Sequence, residues 1–188
     1  MTHQTHFFFA VKIPEETKLI MKNHMEHLKK MLPFSRWVHH QDLHITLAFL
    51  GNAPSDKLTA ADLNVQKALR SEERFTLRID KLGTFGAPSS PRIFWADTQR
   101  SDELNNVRKK VFTACEEAGF QLESRPFRPH ITLARKWIGE ERFEMGLLEE
   151  WNRIQKDPLV FEAKEVILYQ THLQKTPKYE EKKVYPLG

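Results

Sequence analysis

The sequence predicts an α+β fold of two related halves. Each half reads β-α-β-α-β, the two sheets face a central cleft, and the helices pack outside. Three observations carry this. The pentapeptide His-Ile-Thr-Leu-Ala occurs twice, at His44–Ala48 and His130–Ala134, 86 residues apart. The same offset sets Phe7-Phe8-Phe9-Ala10 against Ile93-Phe94-Trp95-Ala96, and Phe75 against Phe161. Between these landmarks, strand-like and helix-like apolar periodicities follow one another in the same order in both halves. The repeats are expected to cover about residues 7–82 and 92–170 of a single bilobal domain, 1–188. A Gly/Pro/Ser-rich link is expected at 83–91, and neither half is expected to be stable alone.

Each element has a local reason. Residues 7–13 are apolar and rich in β-formers, and Pro14 then opens a helix where its missing N–H costs nothing. In that helix Met21, Met25, Leu28 and Leu32 fall on one face. Residues 44–50 read as a strand. Pro54-Ser55-Asp56 signals a helix start before Leu58, Ala61, Val65 and Leu69. Over 75–80, Phe75, Leu77 and Ile79 alternate with Thr76, Arg78 and Asp80, as in a half-buried strand. After the link, 92–97 form a strand. Leu104, Val107, Val111, Ala114 and Ala118 mark a helix stopped by Gly119. Residues 130–135 are a strand, Phe143, Leu147, Trp151 and Ile154 mark a further helix, and 159–169 and 180–185 read as strands.

The composition narrows the functional classes. With 188 residues, 40% hydrophobic and 29% charged, the chain is neither disordered nor collagen-like. No apolar run is long enough for a membrane helix, and Met1-Thr2-His3-Gln4 lacks a leader pattern. The single cysteine, Cys115, excludes an internal disulfide and suits a reducing, cytoplasmic compartment. A net charge of +4 favours a phosphate-bearing partner.

The repeated pentapeptide holds the chemistry. Side chains at i and i+2 share one face of a strand. His44, Thr46 and Ala48 therefore point one way, with Ile45, Leu47 and Phe49 toward the helices. His130, Thr132 and Ala134 repeat this against Ile131 and Leu133. Core packing alone would preserve only the apolar face, yet the polar face is repeated too. Across a two-fold axis, two imidazoles and two hydroxyls would meet in one cleft. Histidine titrates near ~6.5, so one imidazole can take a proton while the other gives one. The hydroxyls can donate to phosphate oxygens. That is phosphoryl-transfer chemistry, and it needs no metal or other cofactor. No His-x-His, Cys pair or His-Glu-x-x-His is present to bind one.

Arg128 shares strand parity with His130 and is expected in the cleft, with Arg125 nearby. Asp42 occupies the matching place in the first copy, which makes the cleft asymmetric in charge. Arg135 falls on the opposite parity and reaches the phosphate only through a bulge or its long side chain. Most rings among Phe7, Phe8, Phe9, Phe94, Trp95, Trp37 and Phe85 are expected in the core, with some free to stack on bases. His24 and His27 are expected to be solvated and His39 and His40 to be bystanders. Tyr169 and His172 are weaker cleft candidates, Cys115 a core residue, and Lys175–Lys183 a solvated face.

These motifs, in the flanks RWVHHQDLHITLAFLG, PRIFWAD and RPFRPHITLARKW, resemble the RNA 2′,3′-cyclic phosphodiesterases. That family, first described as 2′-5′ RNA ligases, lies within the two-histidine phosphoesterase superfamily. The resemblance covers nearly the whole chain and implies the bilobal two-histidine phosphoesterase fold. It also implies metal-independent opening of a terminal 2′,3′-cyclic phosphate on RNA to a 2′-phosphomonoester. By the resemblance, His130 is the general base and His44 the general acid. Thr46 and Thr132 bind the phosphate, and weak reverse 2′-5′ ligation accompanies hydrolysis. The residues themselves leave open which histidine is which. They also leave open another small cyclic or 2′-5′-linked nucleotide as substrate, or a non-catalytic RNA-end binder. RNA ends or cyclic nucleotides are the expected partners, with a monomer and no obligate protein partner.

Overall fold

The computed structural model describes residues 5–188. The Met1–Gln4 stretch, read above as lacking a leader pattern, lies outside the described residues. The helices form where caps and apolar stripes place them. α1 (Glu15–Lys29) follows Pro14 and buries Met21, Met25 and Leu28. α2 (Ser55–Leu69) buries Ala61, Val65 and Leu69, but its N-cap is Pro54, so Ser55 and Asp56 lie within the first turn instead of capping it. α3 (Asp102–Glu117) buries Leu104, Val107, Val111 and Ala114, and Ser101 Oγ caps it by accepting from the Leu104 N–H at 3.1 Å. Gly119, at φ +99°, ends it in the left-handed region that favours glycine. The fourth helix is shorter than its stripe: Met145–Glu149 is a 3-10 turn and only Glu150–Ile154 (α4) is α-helical. Gly146 weakens the helical start.

Nine strands form among the described residues: β1 (His6–Lys12), β2 (Phe34–Trp37), β3 (His44–Asn52), β4 (Phe75–Ala87), β5 (Ser90–Thr98), β6 (His130–Trp137), β7 (Leu159–Ala163), β8 (Glu165–Thr171) and β9 (Tyr179–Pro186). One sheet runs β3-β1-β8-β9 and the other β2-β6-β5-β4-β7. Each sheet draws strands from both halves of the sequence. β4 pairs with β5 and β7, while β8 pairs with β1 and β9, all antiparallel. Cutting the chain between the repeats would remove an interior strand from each sheet.

Three sequence readings change. Residues 83–91 are not a loose link but the tip of the β4-β5 hairpin, with Pro88 and Ser89 at its turn. Gly83 sits there because a Cβ would come within 2.4 Å of the Trp95 ring, and Gly86 because its φ is +101°. The expected strand 159–169 divides at Lys164 between the two sheets. Its burial alternates at Leu159, Phe161 and Ala163, then runs unbroken from Val166 to Tyr169. That change of pattern is the change from one covered face to two. β2, which the sequence reading did not assign, forms the edge beside β6.

The register separates true repeats from coincidence. Phe9 faces Ala48 and Ala10 faces Thr46, so Leu47 is bulged out of the β1-β3 ladder. Phe94 faces Ala134 and Trp95 faces Thr132, so Leu133 is bulged in the same way. The pentapeptides are therefore equivalent in space. Their partners Phe9 and Phe94 are 85 residues apart, so the Phe7–Ala10 match at offset 86 is out of register by one. Phe75 and Phe161 lie on adjacent strands of one sheet and are not counterparts.

Candidate active site

The shared bulge sets which side chains meet. A bulge adds one residue to one strand and so inverts the alternation beyond it. Before it, Ile45, Leu47, Ile131 and Leu133 are buried against the helices, and His44, Thr46, His130 and Thr132 take the other face. After it, Ala48 and Ala134 join the core instead of the cleft face where alternation had put them. Phe49, expected on the covered face, is 57% exposed and lies cross-strand from Phe8. Arg135 turns to the side of His130 and Thr132 by the same inversion, so the bulge supplies what simple parity denied it.

Both imidazoles are held alike. Nδ1 of His44 lies 2.7 Å from the Asp42 carbonyl oxygen, and Nδ1 of His130 lies 2.8 Å from that of Arg128. A carbonyl only accepts, so Nδ1 carries the hydrogen in each ring and Nε2 is the unprotonated nitrogen of the neutral imidazole. Nε2 of His44 is 3.0 Å from Thr46 Oγ1, and in the neutral ring the hydroxyl donates to it.

The walls differ. His44 is packed by Phe8, Tyr179 and Tyr169 at ring-centroid distances of 4.8, 5.2 and 6.1 Å. His130 meets the edge of Phe85 at 5.0 Å and Trp95 at 5.9 Å. The Arg128 guanidinium lies over the Trp95 and Phe85 rings at 5.2 and 5.6 Å, beside His130 as the sequence implied.

Electrostatics favour neutral rings in the free protein. Burial pushes His44 down to about 4, against the Asp42 carbonyl bond that supports its protonated form. Positive charge on His130, Lys18 and Lys178 pushes it the same way, so the two imidazoles feel one another across the cleft. Burial also lowers His130, opposed by the Arg128 carbonyl; Arg135 and Arg128 lower it further and Asp97 raises it.

Other expectations resolve differently. The Asp42 carboxylate does not face the cleft: it is buried and accepts from the backbone N–H groups of Lys178 and Tyr179, both at 3.1 Å. It thereby clamps the start of β9 and holds Tyr179 near His44. Arg125 is exposed and paired with Glu123. His24 is half-buried, bonded to Gln155 at 2.8 Å and edge-on to Trp151. Tyr169 reaches the His44 wall, whereas His172 pairs with Glu180 at 3.4 Å. Cys115 is buried, which pushes its thiol up to about 12, far from a nucleophile. Of the cleft rings, Phe8, Trp95 and Phe85 came from the candidate aromatics. Tyr179 and Lys178 were missed because they lie at the start of β9, inside a run read as a solvated charged face. Among the described residues, no group of three or more His, Cys, Asp or Glu side chains converges, and no helix is long and apolar enough to cross a membrane.

Residues 20–175 match the family described as the 2′-5′ RNA ligase superfamily. The chain is 40% identical over 184 residues to the RNA 2′,3′-cyclic phosphodiesterase of Geobacillus stearothermophilus, covering 98% of this chain and 58% of that one. It is 33% identical over 176 residues to the protein of the same name from Bacillus subtilis, covering 94% and 93%. The chain thus spans little more than half the length of the first relative and nearly all of the second. In fold it is similar to TT0787 of Thermus thermophilus, with a TM-score of 0.76, 23% identity and 97% of each chain covered. It is also similar to E. coli LigT complexed with 3′-AMP, with a TM-score of 0.75, 24% identity, and 98% and 99% covered. With the family match running from α1 to beyond β8, the chain belongs to the 2′-5′ RNA ligase superfamily.

Proposed function

We propose that this chain opens the 2′,3′-cyclic phosphate end of RNA to a 2′-phosphomonoester, without a metal ion and as a monomer. The observation that carries the reading is the matched pair of imidazoles, each with Nδ1–H tied to a carbonyl, which leaves Nε2 to exchange the proton, in His44 against the Thr46 hydroxyl. The names of the relatives supply the substrate class. Water attacks phosphorus and gives its proton to His130 Nε2. The P–O3′ bond breaks as O3′ takes the proton from His44 Nε2, leaving a 2′-phosphate and a 3′-hydroxyl. Thr46, Thr132, Arg128 and Arg135 hold the non-bridging oxygens, where charge develops. A 5′-hydroxyl in place of water would give weak 2′-5′ joining.

The acid role sets a condition. His44 is neutral near pH 7 in the free protein because burial holds it at about 4. The negative charge of the bound cyclic phosphate must raise it. Protonation turns Nε2 from acceptor to donor, which releases the Thr46 hydroxyl to donate to the phosphate. One bound anion thus arms the acid and frees a phosphate ligand together.

The test is incubation of RNA ending in a 2′,3′-cyclic phosphate with the protein in EDTA. The expected product is the 2′-phosphate. A 3′-phosphate product, or turnover only on added metal, overturns the reading.

A further inference from the structure

Beside the catalytic cleft lies a separate groove of about 510 Å³, walled by α1, β2 and the segment after β8. Its volume is that of an ordinary small-ligand site. Six cations line it: Lys22, Lys29, Arg36, Arg135, Lys175 and Lys178. Among the described residues none of the six is in an ion pair. Two carboxylates share the walls, Glu26 and Asp42, and that of Asp42 is already committed to backbone N–H groups.

Arg36 and Arg135 are direct cross-strand partners on β2 and β6. Like charges placed opposite one another repel, and an anion between them removes the cost. Lys178 faces the same crowding, since burial and then the charges of Arg36 and Arg135 lower its pKa. The groove also has flat faces. Trp37 is half-buried on its wall, and the His39 and His40 rings stack at 4.6 Å. Its walls are tied to both histidines: Arg135 lies on the His130 strand, and Asp42, on the groove wall, holds His44 through its carbonyl.

We propose that this groove binds the RNA strand on the 5′ side of the terminal cyclic phosphate, so that oligonucleotides are preferred over mononucleoside cyclic phosphates. The inference rests on the cyclic phosphodiesterase reading for the placement of the RNA end. A single strand fits best, because it presents phosphates to the cations and bases to the rings from one end anchored in the cleft.

The experiment compares Lys22→Ala, Arg36→Ala and Lys175→Ala, singly and combined, on two substrates in parallel. One is a short single-stranded RNA ending in a 2′,3′-cyclic phosphate; the other is a nucleoside 2′,3′-cyclic phosphate. For the triple variant, kcat/KM on RNA is expected to fall about tenfold or more through KM, and to lose about 0.7 of log-log salt slope per cation removed. Turnover of the mononucleotide should not change, which also shows that the variants fold. Equal losses on both substrates, or no loss on RNA, overturn the groove. If wild-type protein turns over neither substrate, the phosphodiesterase reading has failed, and binding of fluorescent 3′-phosphorylated RNA decides the groove separately. Weakened binding by the triple variant supports it, and unchanged binding overturns it.

Discussion

The lobe around His44 and the lobe around His130 share a backbone and differ in nearly everything that surrounds the ring. Both carry the same pentapeptide, bulge at its leucine, and hold the imidazole by the carbonyl two residues back. The flanks part company. Cross-strand from His44 stands Lys12, and from His130, Asp97. Ala10 faces Thr46 where Trp95 faces Thr132. Past the bulge, Phe49 on one side corresponds to Arg135 on the other. Asp42 is sunk into a structural clamp, while Arg128 lies over the rings beside its histidine. The two copies share how a ring is aimed and differ in the environment around it. One lobe is an aromatic box and the other a cationic shelf, a division that fits the opposite proton roles proposed for the two histidines.

The strongest test of that division removes each ring. His44→Ala and His130→Ala are each expected to lower kcat by about 10²–10⁴ with the fold retained, the usual worth of a positioned acid or base. A substrate with sulfur in place of O3′ needs no proton on departure. It should restore much of the rate to His44→Ala and none to His130→Ala. Rescue in the opposite variant would exchange the two roles.

Next comes the pair at equivalent positions. Arg128→Ala is expected to leave thermal stability unchanged and to cost about 1.5–3 kcal/mol of transition-state binding, a ten- to hundredfold fall in kcat/KM. Asp42→Ala leaves two backbone N–H groups unpaired and should lower the unfolding free energy by about 1–3 kcal/mol. Thermal melts and kcat/KM on both variants check this. If both variants lose activity without losing stability, Asp42 serves the cleft directly and the lobes are more alike than their contacts imply.

A smaller effect is expected at Gly83. Gly83→Ala forces the Trp95 ring away from a Cβ only 2.4 Å distant. It should cost about 1–3 kcal/mol in stability and disturb His130 and Arg128, both of which rest on that ring. The facing position in the other lobe, Ile167 opposite Ala10, reverses large and small. Ile167→Val there should cost only about 1 kcal/mol and leave kcat unchanged.

What the sequence disclosed, and what it hid, follows from range. His44, Thr46, His130 and Thr132 were legible because strand alternation is local and the pattern occurs twice. Arg128 was legible from the same parity. The inversion at Leu47 and Leu133 was not, because a bulge is a property of the ladder, so Phe49, Ala48 and Ala134 were assigned to the wrong faces. The exchange of β4 and β8 between sheets was hidden for the same reason: a strand carries its own periodicity but not the identity of its neighbour. Tyr179 was masked by the charges around it, and only the Asp42 clamp, 137 residues away in sequence, places it against His44.

The mildest prediction concerns acid. With burial holding His44 at about 4 against an ordinary ~6.5, the unfolded chain binds a proton between those values that the folded chain refuses. The unfolded state then binds more protons, so stability rises with pH in that window and is lost as pH falls from about 6.5 toward 4. The slope is up to about 1.4 kcal/mol per pH unit for each histidine kept neutral. His130, lowered in the same sense, adds to the same window. Replacing either ring by glutamine removes its share, and His44→Gln should flatten the urea-midpoint profile between pH 7 and 5 by at least as much as His130→Gln. An unchanged slope in His44→Gln would mean that the aromatic box does not hold its histidine neutral. A bound phosphate analogue should shrink the wild-type slope, because an anion between the rings favours their protonated forms. That would place the site's anion in contact with both lobes at once.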